Sequence, residues 1–390
     1  MSLTGRSREH FMEAMSTLCE AASFERDPEL ASAADVAVRG SLRVQAGEKF
    51  LIITNPEREV LEVASALYDS AVAAGARATL VVQPIKAQMD DAEDAVIAAF
   101  DSQPDIVVSL SAEKLGKDSE GLRTPYEWDG VNYDHVFNYQ LHGSKTLRAF
   151  WSPGISRAMF KKTVPIDYEQ LQERCRRLKA VLDEAVSVRV TNAGGTDIVI
   201  GLRGRSARCD DGDYSSPGSG GNLPAGEVFV SPELGTAEGL IVFDGSIDET
   251  AGVILIAEPI RCRVERGFVT SIEGGEEAAR LRRALEAGAQ GARKLEAEGS
   301  LDRDKAAEYV RNARSLGELG IGLNPRAEIV GNMLEDEKAF HTCHFALGAN
   351  YDEDAPALIH LDGLVSRPTI SATMPGGKEK IIEREGELAI

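Results

Sequence analysis

"KFLIITNPEREVLEVASALYDSAVAAGARATLVVQ", residues 49–83, decides the class of the first half of the chain. "KFLIIT" and "RATLVVQ" are short continuous apolar runs of the kind buried as strands. Between them, "EREVLEVASALYDSAVAAGA" repeats apolar residues at helical spacing and stops on Gly75. Strand, helix and strand at this spacing predict a right-handed crossover and a mostly parallel sheet. "PDIVVSL", residues 104–110, supplies another buried strand. Downstream, "TPYEWDGVNYDHVFNYQLHGSK", residues 124–145, reads as an aromatic, polar loop or lid-like insertion. The helix "DYEQLQERCRRLKAVLDEA", residues 167–185, closes this domain.

From Val186 the texture changes. "VSVRVT", "TDIVIGLRGR", "GEVFVSP", "GLIVFDGSI" and "GVILIAEPIRCRVERGFVTSIEG" are strands separated by Gly, Asp and Pro turns. Such a pattern predicts antiparallel β, curled or barrel-like. The helix "GGEEAARLRRALEAGAQGARKLEAEG" interrupts it with a solvated charged face. The Gly-rich "SSPGSGGNLPAGE" reads as a loop and lacks the strand-to-helix frame of a phosphate or dinucleotide site. The expected architecture is an α/β N-terminal domain over residues 1–185 and a β-rich α+β C-terminal domain over residues 186–390.

The whole chain bounds the function. At 390 residues, 43% hydrophobic and 27% charged, it has the composition of a soluble globular protein of two to three domains. No apolar run approaches the length of a membrane span. "MSLTGRSREHFMEAMSTLCEAA" at the N-terminus is charged and amphipathic, without the apolar block of a signal peptide, so a cytoplasmic protein is expected. A net charge of −20 argues against general affinity for nucleic acid or anionic lipid. Five dispersed cysteines without a CxxC pair fit reduced thiols, and Cys343 reads as a small buried apolar residue.

The chemistry-bearing residues lie in the second half. "HTCHFALGANY" and "ALIHLDG" hold His341, His344 and His360, three of only six histidines, together with Tyr351 and Asp362. In an extended strand His360 and Asp362 project to one face and can converge on a cation. Glu318 in "GELGIGL" is an acid among glycines and apolar residues, where a charge without a partner is costly. Glu227 follows a Pro-Gly turn at the start of a strand. Each has an ordinary alternative: a turn acid, a surface residue or a satisfied core histidine. Their clustering in one β-rich half favours a metal site without naming a reaction.

With those residues in view, the chain resembles the aminopeptidase T / aminopeptidase S family of metallopeptidases. "NAGGTDIVIGLRGR" looks like the family's GTDL strand, and "GNLPAGEVFVSPE" is similar to its GEV segment. "GELGIG", "EDEKAFHTCHFALGANY" and "HLD" resemble, in order, its remaining three motifs. The resemblance implies five metal ligands, Glu227, Glu318, His344, His360 and Asp362, with Tyr351 beside the metals and His341 outside the ligand set. It further implies two divalent ions (zinc, cobalt or manganese), small peptide substrates and a homodimer. In that reading Glu318 is the first choice for general base and Tyr351 for oxyanion donor.

There are departures. The segment between His344 and His360 is shorter than in typical peptidases of the family, and its Asn and Ser are replaced in "DAPALIHLD". A related branch, the 2,5-dihydroxypyridine 5,6-dioxygenases, is similar in "GLNPRA" and in the short approach to "HLD". That branch implies one Fe(II), with His in place of Glu318 and no acid at Glu227. Retention of Glu227, Glu318 and His344 favours the peptidase type.

Overall fold

The computed structural model describes residues 27–87 and 90–390. The amphipathic N-terminal segment and Cys19 lie outside the described residues. Two compact units are formed. One takes in Met1–Tyr168 and Gly212–Ala225, the other Glu169–Asp211 and Gly226–Ile390.

The first unit is built on a five-stranded, wholly parallel sheet. Its order is Gly220–Asn222, Arg148–Pro153, Ile106–Ser111, Lys49–Thr54 and Arg77–Val82. The apolar runs are strands because both faces are covered: Phe50, Ile52, Ile53, Val107 and Val108 are all buried. Each such side chain stabilises the unit by about 1.5–3 kcal/mol. The helix Arg58–Ala73 starts where Glu57 caps the amide of Val60, and it buries Val60, Leu61, Val63, Ala64 and Leu67 at helical spacing. Gly75, at φ 88°, takes the left-handed turn that sends the chain into the next strand. Leu51, Val96, Phe100, Val107, Phe137 and Leu141 form part of its core.

Two readings that fall in this unit are corrected. Residues 124–145 are ordered, with a hairpin of Tyr126–Trp128 on Val131–Tyr133 followed by short helical turns. Tyr139 holds them together, stacking on Tyr126 and meeting Trp128 and Tyr133 edge-on. Within the Gly-rich loop, Gly220–Asn222 adds a parallel edge strand to Arg148–Pro153. Three residues of glycine and asparagine carry no strand propensity, so the neighbouring strand imposes this one.

In the second unit lie two antiparallel sheets. The eight-stranded one runs Phe268–Glu273, Ile260–Glu265, Glu238–Phe243, Asp197–Gly201, Ser187–Thr191, Thr369–Thr373, Glu379–Arg384 and Glu387–Leu388. The seven-stranded one runs Gly252–Leu255, Ser246–Glu249, His360–Ser366, Thr342–Gly348, Leu316–Gly322, Glu227–Val230 and Arg208–Asp210. Both sheets are open, and no closed barrel forms among the described residues. The helix Tyr168–Glu184 belongs with these sheets beyond its first residue. Its Lys179 donates to the carbonyl of Ala207 and its Asp183 accepts from the amide of the same residue. The long helix Glu276–Ala297 buries Ala278, Leu281, Ala284, Leu285, Gly288, Ala289 and Ala292. A Cβ at Gly288 would lie 2.9 Å from Ile359, so the glycine lets the helix close on the residue preceding His360. No helix among the described residues is long and apolar enough to cross a membrane.

Candidate metal centre

Four neighbouring strands of the seven-stranded sheet bring the sequence-derived residues together. Glu318 lies across from Ala346, which lies across from Asp362, so one row of the register crosses three strands. His344 is two residues from Ala346, His360 two from Asp362, and Glu227 faces Gly322, four from Glu318. Alternation therefore puts all five side chains on one face of the sheet.

The space they share is made by glycine. His344 is opposite Gly320, and a Cβ at Gly320 would stand 2.0 Å from His344 Nε2 and 2.1 Å from Cε1. The imidazole thus lies across the bare backbone of the next strand. There its Nε2 is 3.1 Å from Glu318 Oε1 and 3.5 Å from Glu227 Oε2. Glu227, Glu318 and His344 are all buried, each with a ligand atom within 4.8 Å of the others'. His360 extends the cluster: its Nε2 is 3.7 Å from Glu318 Oε2 and 3.5 Å from Asp362 Oδ2. Its Nδ1 is 2.8 Å from the carbonyl of Ala349, which can only accept. A proton therefore sits on Nδ1, and Nε2 is the ring atom that faces the carboxylates and would be free to hold a cation once deprotonated.

Tyr351 is half exposed. Its ring packs between Phe229 and His360, with centroids 5.1 and 5.2 Å away. His341 stays outside the cluster, with Nδ1 2.9 Å from the carbonyl of Gly386.

Two flanking groups were not anticipated. Lys338 is fully buried, and its ammonium lies 2.6 Å from Glu227 Oε1, 2.6 Å from Glu337 Oε1 and 3.2 Å from Asp210 Oδ2. Asp248 accepts from the backbone amide of Asp362 at 3.3 Å. In sequence Lys338 sits in "EDEKAF", indistinguishable from a solvated charge run, and Asp248 in "SIDET", which reads as a surface turn. What sets them apart is contact with Glu227 and Asp362, 111 and 114 residues away along the chain.

The electrostatics are those of a crowded acidic site. Burial works against charge on His344, but the hydrogen bond to Glu318 and the charges of Glu227 and Asp362 outweigh it and raise the imidazole to about 9. Burial is likewise outweighed at His360, which Asp362 and Glu318 raise to about 10. Asp362 is held down at about 2 despite its burial, by His360 first and then by His344 and Lys338. Burial pushes Glu227 up to about 8 against the pull of Lys338. Asp248 is pushed to about 8 by burial and then by the charge of Asp362.

The donor set fits a divalent cation. Glu227 Oε2, Glu318 Oε2 and Asp362 Oδ1 are buried oxygens without a hydrogen-bond partner. Each would cost free energy in a closed protein interior, and each is of the hard donor type that could hold zinc, manganese, cobalt or iron(II) alongside the two imidazoles.

Set beside known proteins, residues 155–347 match the family model described as NicX, 2,5-dihydroxypyridine 5,6-dioxygenase. The chain is 31% identical over 146 residues to the 2,5-dihydroxypyridine 5,6-dioxygenase of Pseudomonas putida. That match covers 36% of this chain and 38% of the length of the relative. Among solved structures, the 2,5-dihydroxypyridine dioxygenase from Pseudomonas putida KT2440 superposes with a TM-score of 0.66 at 19% identity, over 92% of this chain and 96% of that one. Wild-type AmpT from Thermus thermophilus superposes with a TM-score of 0.64 at 18% identity, over 93% of this chain and 99% of that one. The chain has the fold that these two structures share.

Proposed function

We propose that the protein is a metal-dependent aminopeptidase, removing N-terminal residues from peptides at a site of two divalent cations. The observation that carries this reading is the place of Glu227. It joins Glu318 and His344 in one buried cluster, giving three carboxylates and two imidazoles where a single iron needs two imidazoles and one carboxylate. The likeness to AmpT supports the same reading at the level of fold.

Cations at Glu227, Glu318, His344, His360 and Asp362 would supply Lewis-acid polarisation of a carbonyl and a bound water acidic enough to ionise near neutral pH. The chain's own residues supply the rest. The carbonyl of Ala349 fixes the tautomer of His360. Gly320 leaves room for the ring of His344 to lie flat toward both glutamates. Glu318 is the general base, taking the water's proton on a carboxylate oxygen and returning it to the leaving amine. Tyr351, against His360 at the exposed edge of the cluster, donates its phenolic hydrogen to the developing oxyanion. In the same reading the chain works as a homodimer; light scattering at micromolar concentration that gave a monomer would count against it.

A second reading is favoured by sequence: the matching family model and the relative from Pseudomonas putida are both 2,5-dihydroxypyridine 5,6-dioxygenases, the branch whose resemblance implies one Fe(II). Metal analysis after native purification separates the two, paired with assays on aminoacyl anilides and on 2,5-dihydroxypyridine. The peptidase reading expects about two zinc, cobalt or manganese ions per chain and release of the anilide. One iron per chain with oxygen uptake on the pyridine would replace it with the second.

A further inference from the structure

Five cysteines are dispersed along the sequence, yet two of them meet in the fold. Cys175 is on the helix Tyr168–Glu184 and Cys209 on the edge strand Arg208–Asp210. One face of the helix, at spacing four, is laid along the segment that leads into this strand. Asp183 accepts from the amide of Ala207 at 2.7 Å, and Lys179 donates to the carbonyl of Ala207 at 2.5 Å and to Ser206 Oγ at 3.1 Å. The next position along that face is Cys175, whose thiol reaches the carbonyl of Glu227 at 3.8 Å. Cys209 pairs with Val228, the residue after Glu227. The two thiols thus flank one peptide unit and interact side chain to side chain. Cys175 is buried and Cys209 partly open to solvent.

From this geometry we infer that Cys175 and Cys209 are an oxidation site, a thiol pair that a peroxide converts to a disulfide and that a dithiol reductant restores. Cys209 is the attacking sulfur. It is the more accessible of the two, so a peroxide reaches its sulfur first. Its sulfur bonds to one peroxide oxygen as the O–O bond breaks, and the departing hydroxide takes a proton to become water. Cys209 is then a sulfenic acid. Cys175 sulfur attacks Cys209 sulfur, the S–O bond breaks, and the hydroxyl leaves as water with the thiol proton. Two thiols lose two electrons and two protons, and one peroxide becomes two waters.

The place of the bond gives it a consequence. On one side of Cys209, Arg208 donates to the carbonyl of Tyr351 at 2.7 Å; on the other, Asp210 stands 3.2 Å from the ammonium of Lys338. The disulfide would tie the helix to the strand that anchors both neighbours of the metal cluster. The inference stands whichever metal chemistry the cluster performs.

The test uses the full reduced chain exposed to hydrogen peroxide, followed by thiol counting in denaturant and non-reducing peptide mapping. The expected result is loss of two of the five thiols, a peptide joining Cys175 to Cys209, and full recovery with dithiothreitol. In the C175S variant the resolving thiol is gone, so Cys209 should instead be trapped as a sulfenic acid by dimedone. Linkage of either cysteine to a different partner would overturn the inference. So would retention of all thiols under peroxide at a concentration that oxidises Cys209 in C175S.

Discussion

Gly320 shows how much of the site depends on an atom that is absent. A methyl group there would stand 2.0 Å from His344 Nε2, so either the ring or the strand must move by more than an ångström. Gly320→Ala is therefore expected to keep the overall fold, by circular dichroism, while metal affinity falls about 10- to 100-fold, as when a residue orienting a ligand is lost. Unchanged affinity by calorimetry would mean that His344 does not hold the cation. Glu318→Gln keeps volume and removes charge. It should lower kcat by about 4 kcal/mol or more in the barrier, whereas Tyr351→Phe should cost roughly ten- to a thousand-fold. If Glu318→Gln turned over near the wild-type rate, the general-base role would be wrong. The sequence exposed these residues to different degrees. Glu318 is legible because an acid within a seven-residue apolar and glycine run has no solvent to face, and His360 with Asp362 because spacing two forces one side of a strand. Lys338 and Asp248 are not legible, since nothing local distinguishes a charge whose partner at the cluster lies 111 or 114 residues away.

At the scale of elements, the four central strands carry the acidic cluster and set its response to pH in the metal-free protein. Glu227 is raised from 4.5 to about 8, His344 from 6.5 to about 9, and His360 from 6.5 to about 10. A group whose folded value lies above its unfolded one contributes stability that is complete below the unfolded value and lost as pH rises through the folded value. Glu227 therefore withdraws stability between about pH 4.5 and 8, His344 between about 6.5 and 9, and His360 between about 6.5 and 10. Asp362, lowered from 3.8 to about 2, contributes above 3.8 and loses its share only as pH falls through 2, outside these windows. Chelated protein should thus show a urea midpoint that falls from pH 6.5 to 10. With zinc present the fall should shrink or reverse, because a cation binds the deprotonated ligands and replaces the missing protons. A flat midpoint in chelator would contradict the charged network. These strands were readable as strands from their alternation and apolar runs. Their arrangement was not: pairing order is set by partners distant in sequence, and so two open antiparallel sheets stand where the pattern predicts one curled or barrel-like sheet.

For the whole molecule, the division into two units predicts where loss of metal is felt. The strands that carry the candidate ligands, Glu227–Val230, Leu316–Gly322, Thr342–Gly348 and His360–Ser366, all lie in the second unit. The first unit has a parallel sheet with its own apolar core and, among the described residues, contributes no member to the cluster. Stripping the cation leaves Glu227, Glu318 and Asp362 with buried oxygens that lack partners, so local opening of those four strands should become easier. The strands Lys49–Thr54, Ile106–Ser111 and Arg148–Pro153 keep every contact that holds them, because burial of side chains such as Ile52, Val107 and Phe150 does not involve the cation. Hydrogen exchange read by mass spectrometry, with and without chelator, should show faster exchange in peptides covering the four ligand strands. Exchange in peptides from the parallel sheet should stay within error. If chelation instead loosened the parallel sheet to the same degree, the metal would be holding the whole chain together, and its role at the cluster would be structural.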